Sequence, residues 1–169
     1  MSIKSDSQIP DLTVGNSRSL ILLIVSVVGH GIKHVFNAAF YVLLPEIKST
    51  LALTNTQIGT LSTFRNVIGG LSNLPAGFIA DRYKHRRALI LGLSLTLTGA
   101  FYMLLGIAHT YWMAVISAVM ITVVINFWHP SAIASLASHF SSRRGFAVGL
   151  HGTGGSVGET VGPIIAGAL

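Results

Sequence analysis

Residues 77–87 read Gly-Phe-Ile-Ala-Asp-Arg-Tyr-Lys-His-Arg-Arg, a polar hairpin set between two long apolar runs. A membrane-crossing helix needs roughly 20 apolar residues, and each flanking run is long enough. The hairpin holds Asp81 together with Arg82, Lys84, Arg86 and Arg87. Cations crowded onto so short a loop fix it on the cytoplasmic side of a membrane. Only 9% of the chain is charged, 51% is hydrophobic and the mean hydropathy is +0.68. A soluble domain carries roughly 25% charged residues, so this chain cannot cover a water-facing surface. The net charge of +6 would suit a nucleic-acid partner. Its cations instead sit at the ends of apolar runs, as positive-inside bias requires, and no nucleic acid is expected. The chain has no cysteine, which excludes disulfides and thiolate metal sites.

The fold class expected is all-α, a multi-span helical membrane protein. Residues 1–18 form a polar tail, with no small-residue cleavage site after it to mark a removable signal. Residues 19–169 form the transmembrane domain, with spans at 19–44, 56–80, 88–108, 112–140 and 145–169. Pro45 closes the first span. His30, Lys33, His34, Asn37 and Tyr41 share one face of it, so that face must look into protein or a water-filled cavity. Thr54 or Asn55 can cap the second span, which carries Arg65, Asn66 and Asn73. Its Gly69, Asn73 and Gly77 lie four apart and offer a flank for close helix approach. The third span has no charge and suits a lipid-facing place. The fourth contains Asn126, His129 and Pro130. The fifth carries Gly154, Gly158, Gly162 and Ala166 at fourfold spacing, a small-residue packing ridge. Lys4, Arg18, Arg143 and Arg144 share the cytoplasmic side with the hairpin and leave only Lys48 in an outer loop. The amino terminus is therefore expected in the cytoplasm.

Lys33, Arg65, Asn126 and Glu159 lie about 14–15 residues from the cytoplasmic ends of their spans, roughly 21–23 Å deep at about 1.5 Å per residue. Charges at such depth must pair or bind something charged. One reading is a structural Glu159–Lys33 or Glu159–Arg65 pair. The sharper one is that Lys33 and Arg65 hold an anionic substrate while Glu159 carries a proton. His30, Lys33, His34, Asn37, Arg65, Asn126 and His129 are the candidate cavity residues. The spacing of His30 and His34 would suit a metal. No acid lies nearby in sequence and Lys33 stands between them, so no metal or other cofactor is expected. Gly154–Gly158 matches G-x-S-x-G, but without a preceding strand it is no nucleophile elbow, and an enzyme is not expected. Asp81 ends its own helix, where the dipole disfavours an anion. It needs Arg82 or Arg86 locally, a turn cap, or the amino terminus of another helix to hold it.

Gly77, Asp81, Arg82 and Arg86 match G-x-x-x-D-R-x-G-R-R, with Arg87 adding a cation directly after it, and the chain thereby resembles the major facilitator superfamily of secondary transporters. Lys84 stands where that pattern has Gly, and His85 where it has a cation. Gly158, Gly162, Pro163 and Gly167 match a second signature, G-x-x-x-G-P-x-x-G-G, of fifth helices in antiporters. His129-Pro130, Arg143-Arg144-Gly145 and Gly154-Gly155 are similar to the branch that includes fosmidomycin-resistance exporters. The resemblance implies alternating access, proton-linked export and a gate contact made by Asp81. It also implies twelve spans in two halves, of which this chain would supply five and need the carboxy-terminal half as partner. The alternative is a truncated membrane fragment or helix-packing partner that does not transport. The expected setting is the bacterial inner membrane, with lipid, a small anionic substrate and protons as further partners.

Overall fold

The computed structural model describes residues 17–168, so the tail expected at 1–18 lies almost wholly outside the described residues. Five α-helices follow one another: α1 (Ser17–Thr50), α2 (Asn55–Arg82), α3 (Arg87–Gly106), α4 (Tyr111–His139) and α5 (Arg144–Gly167). Among the described residues there is no strand, and the all-α expectation holds. By length and hydropathy α1, α3 with the short turn before it, and α4 are apolar enough to cross a membrane. α2 and α5 have 28 and 24 residues, but their Thr, Asn, Arg and Gly content lowers their hydropathy.

α4 is the centre. It packs against α2 on one side and α3 on the other, while α1 packs chiefly on α5 and touches α4. The side chains that allow this are small or apolar. Ala114, Val115, Ala118 and Ile121 of α4 close on Phe40, Leu61 and Leu105. Ser94 and Thr98, on the buried face of α3, return their hydroxyls to Ile90 and Ser94 carbonyls of their own helix. Neither of these two hydroxyls is thereby left unsatisfied in its apolar surround. The other face of α3 exposes Leu89, Leu93, Leu97 and Met103.

Two local expectations change. α1 does not stop at Pro45 but continues to Thr50. Proline deletes one helical bond, yet Leu44, Ile47 and Leu51 pack on the Phe40–Leu105 cluster and hold the last turn in place. The connection to α2 is correspondingly short, and Ala52 takes a left-handed φ of 50° within it. Thr54 then caps α2 through a capping box with Gln57.

The 77–87 hairpin is resolved without a left-handed residue. α2 runs to Arg82, Tyr83 has φ −110° and ψ 46°, and Lys84–Arg86 form one 3-10 turn closed by Arg86 N–H to the Tyr83 carbonyl at 2.8 Å. A 3-10 turn needs no glycine, which is why Lys84 is tolerated in the glycine position of the motif.

Candidate functional site

α1 and α5 meet along the small-residue ridge. A Cβ on Gly158 would lie 2.9 Å from the Gly31 carbonyl carbon and from His34 Cβ, and one on Gly155 would lie 2.7 Å from His30 Cε1. Gly154 faces the Val27 carbonyl in the same way, and Gly162 faces Val35 and Ala38. The glycines thus bring the polar stripe of α1 against α5. Gly167 meets nothing within 4 Å, so it takes no part in this packing, unlike its motif partners. On α2, Gly69 lies against Thr122 of α4, whereas Gly77 faces open space.

Four imidazoles gather where α1, α4 and α5 meet. His30 stacks on His151 with ring centroids 4.0 Å apart, and the His129 centroid is 5.0 Å from that of His30. Trp128 stands beside the stack, nearly parallel to both rings, with its centroid 5.8 Å from His30 and 5.5 Å from His151. The indole fits because position 29 is glycine; a Cβ there would be 2.6 Å from Trp128 Cζ2. His34 meets His30 edge-on at 4.6 Å.

The hydrogen bonds settle the protons. His30 Nδ1 lies 2.8 Å from the His151 carbonyl, which only accepts, so Nδ1 donates. With His30 neutral, its Nε2 is a lone pair and accepts from His34 Nε2 at 3.0 Å. His34 Nδ1 stands 2.9 Å from Glu159 Oε1. That contact is favourable only when the pair holds one proton beyond neutral imidazole and carboxylate. Either the imidazolium donates to the carboxylate, or the carboxylic acid donates to the ring. The chain of bonds runs from the exposed Glu159 side chain inward to buried His30.

The expected layer of charges is therefore rearranged. Glu159 pairs with His34, and neither the Glu159–Lys33 nor the Glu159–Arg65 pair forms. Arg65, on α2, is 3% exposed and reaches across to α1: it donates to Asn37 Oδ1 at 2.7 Å and Tyr41 Oη at 3.0 Å, with its guanidinium 4.3 Å over Phe40. Asn126 donates to the Gly69 carbonyl at 2.7 Å and to Ser72 Oγ at 3.1 Å, joining α4 to α2. Arg65 and Asn126 are committed to helix contacts rather than aimed with Lys33 into one space. Lys33 is half-buried, and among the described residues its ammonium makes no hydrogen bond or ion pair. The nearby acid that the reading of His30 and His34 lacked comes from α5. The expectation for Asp81 was a contact with Arg82, Arg86 or another helix. Its carboxylate is exposed and its only described partner is Arg87 at 3.9 Å, a loose pair, while Arg87 also caps the Ala80 carbonyl.

His151 and Trp128 were missed by sequence reasoning. His151 had a signal: with Gly154, Gly155, Gly158 and Gly162 it falls on one helical face, the face of the ridge. Trp128 had none beyond its place before His129.

Arg65→Lys tests how the guanidinium works. An ammonium keeps the charge but cannot span Asn37 and Tyr41 as a planar fork. The exchange should cost about 1.5–3 kcal/mol, read as a lowered unfolding midpoint in detergent.

A bundle of long apolar helices, with a bonded polar seam inside it, is an integral membrane protein. The Major Facilitator Superfamily profile matches residues 26–169, and the chain belongs to that family. It is 25% identical over 142 residues to the fosmidomycin resistance protein of Escherichia coli (strain K12), covering 83% of this chain and 34% of that protein. It is 30% identical over 129 residues to the probable 4-methylmuconolactone transporter of Cupriavidus pinatubonensis, covering 75% of this chain and 29% of that one. The membrane sensor protein UhpC of Salmonella typhimurium is 26% identical over 149 residues, 88% of this chain and 33% of that one. The chain spans about a third of the length of the curated relatives it matches.

Proposed function

We propose that this chain forms the amino-terminal bundle of a proton-coupled secondary transporter that exports a small organic anion. The observation that carries the reading is the Glu159–His34 contact at 2.9 Å beside the ammonium of Lys33, which has no partner among the described residues. A carboxyl group that must share a proton with its partner, and is open on one side, is suited to take up and release that proton. Lys33 offers the anion a charge not already spent on a partner among the described residues. Arg65 adds positive field one to two turns further along α1, where Asn37 and Tyr41 hold its guanidinium. Substrate would bind between this bundle and a carboxy-terminal half, with alternating access as the halves rock. The greater length of the relatives supports that second half. Asp81, exposed and only loosely paired, would gate the cytoplasmic side against it.

Energised inverted vesicles containing the longer protein test this directly. Labelled organic anion should accumulate when the lumen is acidified and should leave when the gradient is collapsed. Uptake indifferent to the gradient would refute proton coupling.

Orientation has its own test. With the amino terminus and the 77–87 hairpin cytoplasmic, Lys48→Cys should react with an impermeant thiol reagent in intact cells and Lys84→Cys should not. The chain has no cysteine of its own, so labelling is unambiguous. The reverse pattern would invert the topology.

A further inference from the structure

We propose that His30, His129 and His151 form a binding site for a divalent transition cation of the zinc class. It lies at the junction of α1, α4 and α5, and it stands independently of the transport reading. One ring nitrogen from each of the three lies within 4.8 Å of the others. The tautomers are already set for coordination. His30 Nδ1 donates to the His151 carbonyl and His151 Nδ1 donates to the Ser26 carbonyl at 3.2 Å, leaving Nε2 of each as the available lone pair. A metal-bound imidazole is held in this way, its far N–H fixed by a backbone carbonyl.

Two of the inward nitrogens have nothing else to bind. His151 Nε2 and His129 Nδ1 are buried without a hydrogen-bond partner, and His151 is only 2% exposed. Buried polar atoms of this kind are rare in a finished fold, and a shared cation would satisfy both at once. Three neutral imidazoles with one open position are the ligand set that zinc, cobalt or nickel accepts, whereas calcium and magnesium take oxygen. A tetrahedral site needs nitrogens about 3.3 Å apart around bonds of about 2.0–2.1 Å. Because each lone pair lies in its ring plane, loading requires His30 and His151 to tilt toward each other and give up their parallel stack. Entry is from the side of His34 and Glu159, whose carboxylate is exposed and attracts a cation. Lys33 brings an opposing positive charge to the same stripe of α1. Loading would replace the bond between His34 and His30, since His30 Nε2 cannot serve both.

The protein purified without a histidine tag, in metal-free detergent buffer, should take up one Zn²⁺ per chain in competition with a chromophoric chelator. Its unfolding midpoint should rise as it does so. Removing a ligand by His129→Asn or His151→Asn should weaken binding by more than the roughly 10–100-fold that loss of an outer partner costs. His139→Asn, at the far end of α4, should leave it unchanged. Absence of stoichiometric uptake, or uptake that survives both ligand substitutions, overturns the site. So does equal loss in the His139 variant. Should a variant fail to fold, Co²⁺ in the unaltered protein decides. Intense visible bands of a four-coordinate ion support the site, and the faint spectrum of six-coordinate aqueous cobalt overturns it. Neither result depends on transport.

Discussion

Gly158→Ala should destabilise the bundle by about 1–3 kcal/mol, the usual cost of forcing a methyl group into a filled contact. The new Cβ would lie 2.9 Å from the Gly31 carbonyl carbon and from His34 Cβ. One of those neighbours is backbone and the other is the root of a side chain, so neither can turn away. α1 and α5 must separate instead, and the His34–Glu159 bond would stretch with them. Gly167→Ala is the internal control. It meets nothing within 4 Å, and in an exposed helix alanine exceeds glycine by about 0.5–1 kcal/mol. Thermal unfolding of both variants in one detergent measures the contrast. Equal midpoints would show that the ridge is not a close contact at all.

Glu159→Gln and Lys33→Ala should separate the two halves of the transport cycle. Glutamine keeps the shape of the carboxyl group but cannot exchange a proton. Substrate binding should persist, while the response of flux to an imposed pH gradient should vanish. Lys33→Ala should do the opposite. It removes a charged contact worth about 1.5–3 kcal/mol, so anion affinity should fall by about 10- to 100-fold with the gradient response intact. Equilibrium binding of labelled anion and gradient-driven flux, measured on the same preparations, distinguish the outcomes. Unchanged binding in the Lys33 variant would move the anion site elsewhere. A Gln variant that still follows the gradient would move the proton.

What could be read from the chain follows from what is local. Apolar runs, the cation-rich hairpin and the glycine spacing depend on neighbouring residues, and with them came the helical class, the family and the small-residue ridge of α5, though not that α1 is the helix it packs on. Pro45 was misjudged because propensity argues for an ending there, while the packing of Ile47 and Leu51 comes from residues far along the chain. The pairing of Glu159 was missed for a related reason. Depth along a helix can be counted, but rotation about its axis cannot. Four residues at one level were therefore treated as one layer, although Arg65 turns to Asn37 and Tyr41 and Asn126 turns to Gly69. His151 escaped because its partners lie on other helices.

The vacancy of a side chain at Gly29 has an optical consequence. It lets the Trp128 indole lie nearly parallel to both His30 and His151, at interplanar angles of 9° and 11°. The chain has two tryptophans, and the other, Trp112, stands exposed at the start of α4. The indole ring is electron-rich and responds to positive charge brought close to it. With Trp112→Phe, the remaining fluorescence would come from a single lamp set against the histidine stack. Each arrival of charge at that stack would then be visible as a change of light, with no label attached.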